Sequence, residues 1–490
     1  MKKAILCGAV LLGLSPALPA QDPPVTRKAL LEAVDLDIGE SAKVTLADKS
    51  VVRVKLLDVQ ERRDAIRDAV REATVKVEVD GKMVSLVSAN YRLPITVGKA
   101  QLDCPITKGY VKNSGQDVWG LVKDARLRLW PAGSPWMEPG TFVYPTKQRW
   151  FASMTQMANE PVYVDGGEKP FTSKIYYHWG LDIGGAEKMV DVVAATDGLV
   201  VSAGKAILPG YEKTPASPRY DVIYVADERG WYYRYSHLFS MEPEIKPGAR
   251  VKLGQKIGVL GKEGASGGWS HLHFDITAKQ PSGKWGIQEG YAFLWEAYQR
   301  EHKPALIAVA RPHVVGWSGD TLTLDGSRSW AKKKIVRHDW TFSDGGTASG
   351  ARVKRTYEKP GSYSEVLKVT DEAGGVAYDF AVVQILNKKE PKELPPTIHA
   401  AYSPTFDIKA GDPVTFKVRS FRAAADFELW DFGDGAKAKV HSDGNAKPLA
   451  PDGYAVTTHR FAKAGDYIVR VERHNERGEP AIAHLHVRVD

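Results

Sequence analysis

The sequence predicts a multi-domain protein built mainly from β-strands. Its 490 residues exceed what one hydrophobic core usually supports. Two early stretches, AKVTLADKSVVRVKLLDV and ATVKVEVDGKMVSLVSANY, alternate apolar and polar residues around Asp-Lys and Asp-Gly turns, which is typical of strands. The stretch WTFSDGG at Trp340 recurs as WDFGDG at Trp430. This repeat indicates two tandem copies of one small all-β domain.

The chain opens with two lysines, an apolar run from Ala4 to Leu14 and small residues that end at Ala20. This pattern predicts a signal peptide over residues 1–20, cleaved near Ala20, and a secreted or periplasmic bacterial protein. No later run of about 18 apolar residues follows, so we expect no membrane anchor. Cys104 would be the only cysteine left, which excludes an internal disulfide, and we expect a buried, inert thiol.

The composition is that of ordinary globular domains, with 43% hydrophobic and 26% charged residues. The formal net charge is +8, and no dense Lys/Arg block occurs, so nucleic acid is not an expected partner. A mild positive charge suits contact with anionic surfaces such as a cell wall, but it does not decide the function.

Residues 21–140 form the first predicted domain, which is β-rich. Within it, QERRDAIRDAVREA over residues 60–73 predicts a single surface helix, whose apolar face would contain Ala65, Ile66, Ala69 and Val70. Because this domain precedes the region that carries the chemical motifs, it is a candidate pro-segment or regulatory region.

The next predicted domain contains short, Gly-punctuated strands and closes with a helix at FLWEAYQREH. The two repeat copies follow it, separated by a charged, proline-rich linker. The predicted bounds are 141–303 for the central domain, 304–387 for the first copy, 388–397 for the linker and 398–490 for the second copy.

The tripeptide His-Leu-His occurs twice, at His271 to His273 and at His484 to His486. Histidines two apart on a strand point to one face, so either pair has the geometry to hold a metal ion. The second pair ends the chain with no third ligand in an obvious pattern, and we expect it on a polar, solvent-facing side of a sheet.

The first pair follows a His-x-x-x-Asp motif, His178 and Asp182 in YYHWGLDIGG. A hydrolytic zinc site needs three His or carboxylate ligands and one open position. His178, Asp182 and one histidine of the first pair meet that count. Residues four apart on a straight strand are about 13 Å apart, too far for one ion. The chain must therefore bend between them, and Gly180 allows the bend.

The motifs HWGLD, AATDGLVVSAG, YRYSHL, IKPGARVKLGQKIGVLGKEG and SHLHFDI, in this order, closely resemble the lysostaphin-type zinc endopeptidases, relatives of lysostaphin and LytM. The resemblance implies a small antiparallel β-domain of the duplicated hybrid motif fold, with one Zn²⁺. It implies that His178, Asp182 and His273 bind the metal while His237 and His271 flank the metal-bound water. We expect His271 to be the general base and His237 the transition-state stabiliser, although the sequence alone leaves these two roles interchangeable.

The two repeat copies resemble the polycystic-kidney-disease (PKD) repeat, an immunoglobulin-like β-sandwich. Trp340 and Trp430 would then fill the two cores. Such domains either bind an insoluble polymer or act as spacers, and both alternatives stay open. Asp325 and Asp344 lie in turn-rich segments, which makes Ca²⁺ a second candidate cofactor.

Together these features predict a secreted zinc metalloendopeptidase that hydrolyses peptide bonds of bacterial peptidoglycan through a zinc-activated water. One alternative is an exported metalloprotease that acts on fibrous or glycine-rich proteins such as elastin. Another is a non-catalytic protein that binds the cell wall. The expected partner is peptidoglycan or another insoluble polymer, with no nucleic acid and no membrane anchor, and we expect a monomer.

Overall fold

The computed structural model describes residues 25–88, 90–157, 159–161, 175–424, 426–442 and 453–490. The predicted signal peptide lies outside these residues. The described chain is mainly β and multi-domain, which confirms the predicted fold class. Neither helix in this part of the chain has the length and apolarity needed to cross a bilayer.

The first region folds as two four-stranded antiparallel sheets, which share one apolar core that includes Cys104. Burial raises the pKa of the Cys104 thiol to about 12, so this cysteine is protonated near neutral pH. One sheet has the strand order β1-β8-β7-β6 and the other β2-β3-β4-β5. The elements are β1 (Glu32–Leu36), β2 (Ser41–Thr45), β3 (Val51–Arg63), β4 (Val70–Val79), β5 (Lys82–Ser88), β6 (Ile95–Val97), β7 (Ala100–Thr107), α1 (Lys108–Asn113) and β8 (Ala125–Pro131).

The helix predicted over residues 60–73 is wrong. This segment instead contains the end of β3, a turn and the start of β4, paired from Val54 to Arg63 against Val79 to Val70. The Asp64 carboxylate accepts hydrogen bonds from the backbone N–H groups of Ile66 and Arg67 in the turn, at 3.0 and 2.7 Å. Strand pairing along the whole hairpin satisfies the backbone, and this outweighs a short amphipathic pattern.

This first region packs closely against the central region. Tyr91, Trp130 and Met137 belong to the same buried cluster as the central strands. The backbone N–H of Met137 also donates to the Glu296 carboxylate at 2.9 Å. Part of the central core is therefore built from residues of the first region.

The central region contains a nine-stranded sheet and a three-stranded sheet. The larger has the path β13-β12-β14-β15-β19-β10-β9, with β17 beside β12 and β20 beside β19, and the smaller has the order β11-β18-β16. The elements are β9 (Thr155–Gln156), β10 (Leu181–Gly184), β11 (Asp191–Val193), β12 (Gly198–Ala203), β13 (Ala206–Ile207), β14 (Ile223–Ala226), β15 (Tyr232–Ser236), β16 (Leu238–Met241), β17 (Arg250–Val251), β18 (Lys256–Leu260), β19 (His271–Lys279), β20 (Trp285–Ile287) and α2 (Tyr291–His302).

The helix α2 confirms the prediction made from FLWEAYQREH. It is buried nearly all round, and Phe293, Leu294 and Trp295 pack in the central core. Lys303 adopts a left-handed conformation with φ +48° directly after the helix, and Pro304 follows, so the helix ends there.

The C-terminal region contains two β-sandwich units joined through one sheet. The path β22-β29-β28-β36-β35-β32-β33 runs through both units, with β25 beside β28 and β26 beside β25. The elements are β21 (Leu306–Ile307), β22 (Val314–Trp317), β23 (Thr321–Asp325), β24 (Trp330–Ala331), β25 (Ile335–Thr341), β26 (Thr347–Ser349), β27 (Arg352–Thr356), β28 (Gly361–Asp371), β29 (Val376–Leu386), β30 (Thr397–Ser403), β31 (Pro413–Phe421), β32 (Phe427–Asp431), β33 (Lys437–His441), β34 (Ala455–Arg460), β35 (Gly465–His474) and β36 (Pro480–Val489).

The solvent-facing position predicted for the second His-Leu-His is wrong. The His484 ring stacks on Phe380 with centroids 5.8 Å apart, and the His486 ring lies 4.8 Å from that of Tyr378. Burial lowers the pKa of His484 to about 3 and that of His486 to about 4. The first sandwich unit covers this side of β36, a contact between domains that the local pattern does not contain.

Trp340 and Trp430 are 1% and 3% exposed and fill the cores of the two units, as predicted.

The two aspartates considered for Ca²⁺ pair with arginines instead. Asp325 contacts Arg352 at 3.1 Å, and Asp344 contacts an arginine at 2.8 Å. Neither belongs to a group of three ligand residues in the described ranges, so the structure gives the calcium prediction no support.

Candidate metal centre

Antiparallel pairing of β10 and β19 brings the two sequence motifs together. The register places Asp182 opposite His273 and Gly184 opposite His271. Residues directly opposite on antiparallel strands share a face, and His271 lies two residues from His273. Asp182 and both histidines therefore occupy one face of the sheet.

His178 joins this face because the chain bends at Gly180, as the sequence predicts. Gly180 has φ +72°. A Cβ at this position would lie 2.6 Å from the Phe274 carbonyl oxygen and 2.6 Å from Asp275 Cβ. Both the left-handed backbone and the close approach require glycine here.

Three ligand atoms converge in the described structure. His178 Nε2 lies 3.1 Å from His273 Nδ1, and Asp182 Oδ1 lies 3.0 and 2.9 Å from these two nitrogens. Tetrahedral Zn²⁺ with bonds of about 2.0–2.1 Å holds its ligand atoms about 3.3 Å apart. These atoms need to separate by only a few tenths of an ångström, so the residues fit a zinc ion.

The charge state of Asp182 suits a metal ligand. Burial opposes ionisation, but the electrostatic interactions with the neighbouring imidazoles of His178, His271 and His273 outweigh it. They hold the pKa of the Asp182 carboxyl well below its usual value. The carboxylate is therefore ionised, and a site with two neutral imidazoles carries one negative charge toward a cation.

Each of the two histidines in this group has its other ring nitrogen in a hydrogen bond. His178 Nδ1 donates to the Met157 carbonyl oxygen at 3.2 Å, and His273 Nε2 donates to Asp275 Oδ2 at 3.1 Å. These bonds leave His178 Nε2 and His273 Nδ1 unprotonated toward the shared centre. We did not identify Asp275 from the sequence, although its place two residues after His273 on a strand is a usable signal.

His271 lies beside the group with its ring held by Trp269. The two rings stack with centroids 3.9 Å apart, and His271 Nδ1 donates to the Trp269 carbonyl oxygen at 3.1 Å. The remaining nitrogen, Nε2, lies 3.4 Å from Asp182 Oδ2. Burial lowers the pKa of His271 well below its usual value, so the ring is neutral near pH 7.

His237 follows β15 in a left-handed conformation, with φ +68°, which costs roughly 1 kcal/mol or more for a residue with a side chain. The Asp221 carboxylate fixes this conformation by accepting the His237 backbone N–H at 3.0 Å. His237 Nδ1 donates to the Glu263 carbonyl oxygen at 2.7 Å, so Nε2 is unprotonated. The ring centroids of His237 and His271 are 4.7 Å apart. Asp221 carries no sequence signal that we recognised.

A cavity of about 190 Å³ opens onto the five residues. Its wall includes Met154 and Trp269 from the central region and Ile398, His399 and Phe421 from the second sandwich unit. Within the described ranges, no residue of 25–140 lines this cavity. The first region therefore supports the central core without contributing to the cavity wall.

Family models match three segments of this chain. Residues 176–283 match the model of Peptidase family M23, and residues 304–385 and 398–489 each match a PKD domain model. The solved structure of Helicobacter pylori Csd3 is 13% identical over 54% of this chain and 82% of that chain, with a TM-score of 0.21. The fibronectin(III)-like modules of Clostridium thermocellum CbhA are 10% identical over 38% of this chain and 94% of that chain, with a TM-score of 0.15. The chain thus contains a peptidase domain of family M23 followed by two PKD domains.

Proposed function

We propose that this protein is an exported zinc endopeptidase that cleaves peptide bonds in bacterial peptidoglycan. The observation that carries the proposal is the convergence of His178 Nε2, Asp182 Oδ1 and His273 Nδ1 within 3.1 Å, with His237 and His271 beside them. The match to Peptidase family M23 supports the same reaction class.

His178, Asp182 and His273 would hold the zinc ion. When bound, zinc supplies a Lewis acid that polarises the scissile carbonyl and promotes deprotonation of water. Asp275 and the Met157 carbonyl would keep the two ligand imidazoles in the tautomers that the metal requires.

We assign the general base to His271. Its Nδ1 proton is held by the Trp269 carbonyl, so Nε2 is free to accept a proton near the Asp182 carboxylate. The imidazolium formed in this way can then return the proton to the leaving amine. His237 would stabilise the negative charge that develops on the carbonyl oxygen when its Nε2 carries a proton. Burial lowers the pKa of His237, and Asp221 Oδ2, 3.4 Å from His237 Nδ1 and itself paired with Arg219, opposes part of that effect. His237 would therefore take up the proton only as charge develops on the carbonyl oxygen.

The form of the cavity supports a slender peptide as substrate. Its volume of about 190 Å³ is below the roughly 300–1,000 Å³ of pockets that enclose a drug-sized ligand. A flexible, extended peptide can pass such a site, whereas a folded protein surface cannot enter it. Stem and bridge peptides of peptidoglycan have this character, and the PKD domains would hold the enzyme on the polymer.

The test is mass spectrometry of the fragments that the purified mature chain releases from peptidoglycan. We expect fragments with new peptide amino termini and intact glycan bonds, and none from the Asp182→Asn variant. Release from elastin but not from peptidoglycan would favour the fibrous-protein alternative. Binding to peptidoglycan without release of any fragment, with no zinc bound, would favour the non-catalytic alternative.

A further inference from the structure

The second PKD domain lies directly against the catalytic group. Ile398 and His399 at the start of β30, and Phe421 at the end of β31, line the cavity that contains the five active-site residues. The Trp269 ring, which stacks on His271, meets the His399 ring edge-on with centroids 5.1 Å apart. A domain that follows the peptidase in the chain therefore contributes to its cavity.

A chain of hydrogen bonds connects this domain to the residue that precedes His271. The Ser270 backbone N–H donates to the Tyr454 hydroxyl at 2.8 Å, and that hydroxyl lies 2.6 Å from His399 Nδ1. His399 Nε2 lies 3.1 Å from Ser153 Oγ, and Ser153 Oγ donates to the Ala400 carbonyl oxygen at 2.6 Å. These hydrogen bonds thus lead from Ser270 of the peptidase domain through Tyr454 and His399 of the PKD domain to Ser153, which is again in the peptidase domain.

The donors and acceptors of this chain fit only one arrangement of protons. The Ser153 hydroxyl proton is used on the Ala400 carbonyl, so His399 Nε2–H must donate to Ser153 Oγ. His399 Nδ1 is then an acceptor, which the Tyr454 O–H satisfies. Burial lowers the pKa of His399 to about 3, so the ring is neutral near pH 7 and has the single N–H that this arrangement needs.

The PKD domain is held at this place by further contacts on the same face. Lys417 Nζ donates to the Glu187 carbonyl oxygen at 2.6 Å, and the Arg149 backbone N–H donates to Thr405 Oγ1 at 3.0 Å. Ala152 of the peptidase domain packs inside the apolar core of the PKD domain. These contacts favour a lasting wall of the active site over a transient cover.

We propose that Tyr454 and His399 are positioning residues for His271, so that the second PKD domain completes the active site of the peptidase. Tyr454 fixes the backbone of Ser270, and His399 fixes Trp269, on which the His271 ring stacks. This inference rests on the proposed peptidase function for its kinetic consequence. The hydrogen bonds that carry it make a separate, non-kinetic prediction.

The test uses the full mature chain and the conservative variant Tyr454→Phe, which removes only the hydroxyl. Tyr467→Phe is the matched control, because the Tyr467 hydroxyl bonds the Lys463 carbonyl within the same PKD domain. Ser153→Ala is a second variant, which removes the hydroxyl at the other end of this series of hydrogen bonds. Two quantities are measured: hydrogen exchange of the Ser270 amide, and kcat and KM for peptide release from soluble peptidoglycan fragments.

We expect Tyr454→Phe to speed exchange of the Ser270 amide about tenfold and to lower kcat about tenfold, with KM changed less than about twofold. Ser153→Ala should give a smaller change in the same direction, and Tyr467→Phe none. A merely structural role would lower the melting temperature without this split between kcat and KM.

Unchanged exchange at Ser270 in Tyr454→Phe would overturn the inference, and so would faster exchange with kcat unchanged. An inactive wild-type chain would instead contradict the proposed peptidase function. In that case the exchange experiment still decides whether the PKD domain holds Ser270, so the two failures are distinguishable.

Discussion

Asp182 and His273 lie directly opposite each other on β10 and β19, with Asp182 Oδ1 2.9 Å from His273 Nδ1. The sheet register therefore sets the distance between two proposed ligands that are 91 positions apart in the sequence. A register shift of one residue would move one of them to the other face. The metal centre thus depends on the fold of the whole sheet and not on a local loop.

Replacement of Asp182 by Asn tests the ligand set. Asn has nearly the same shape but no charge, so we expect the bound zinc to fall from one per chain to below about 0.1, and the peptidase rate to fall by about 1,000-fold or more. Metal analysis of the dialysed protein measures the first quantity. His441→Asn is the matched control, because the His441 side chain is 70% exposed on the second PKD domain. Full zinc content in the Asp182 variant would contradict this ligand set.

Asp275→Asn tests the hydrogen bond that orients His273. The carboxylate accepts from His273 Nε2 at 3.1 Å and fixes the tautomer that leaves Nδ1 unprotonated. Loss of such a partner typically weakens metal binding 10- to 100-fold, and we expect a loss in that range. Competition with a zinc-binding dye measures the affinity. An affinity equal to that of wild type would show that Asp275 does not orient the ligand.

The buried histidines between the PKD domains predict a loss of stability in acid. The pKa of His484 is lowered to about 3 by burial, against about 6.5 in the unfolded chain. The unfolded state therefore binds the extra proton first, so the contribution of neutral His484 is fully present above about pH 6.5. It is lost as the pH falls toward 3.

For His484 alone, we expect the free energy of unfolding to fall by about 1.5 kcal/mol between pH 6.5 and pH 5. Urea unfolding at these two pH values measures it. His484→Gln, which cannot titrate, should show a decrease smaller by that amount. An equal pH dependence in the variant and the wild type would mean that this histidine is not held neutral in the folded protein.

A chain that begins at residue 141 tests the role of the first region. Tyr91, Trp130 and Met137 fill part of the central core, and Glu296 would lose its backbone partners. We expect this shorter chain to be less stable by thermal unfolding and no more active per folded molecule. A stable shorter chain with higher activity than the full mature chain would instead identify the first region as an inhibitory segment.

Part of the centre follows from the sequence alone, because each of its two motifs has a local geometry. Two histidines two apart on a strand must share a face, and the bend between His178 and Asp182 requires Gly180. The residues that hydrogen-bond to these histidines are harder to predict from the sequence. Asp221 contacts His237 only because the fold brings them together, and no local pattern distinguishes this aspartate from others in loops.

Contacts between domains lie beyond local patterns. The alternation around His484 and His486 indicates a strand but not which side a neighbouring domain covers. In the same way, His399 and Tyr454 reach the active site from more than 100 positions away in the sequence, and no motif marks them. The helix prediction for residues 60–73 is wrong for a related reason, because pairing with a neighbouring strand outweighs a short helical pattern.

The most direct test of the metal centre is anomalous X-ray scattering at the zinc edge from crystals of the full mature chain. The arrangement of His178 Nε2, Asp182 Oδ1 and His273 Nδ1 predicts one strong peak about 2.0–2.2 Å from all three atoms. A zinc-loaded crystal with no peak between these atoms, or with its zinc held by other residues, would contradict the account.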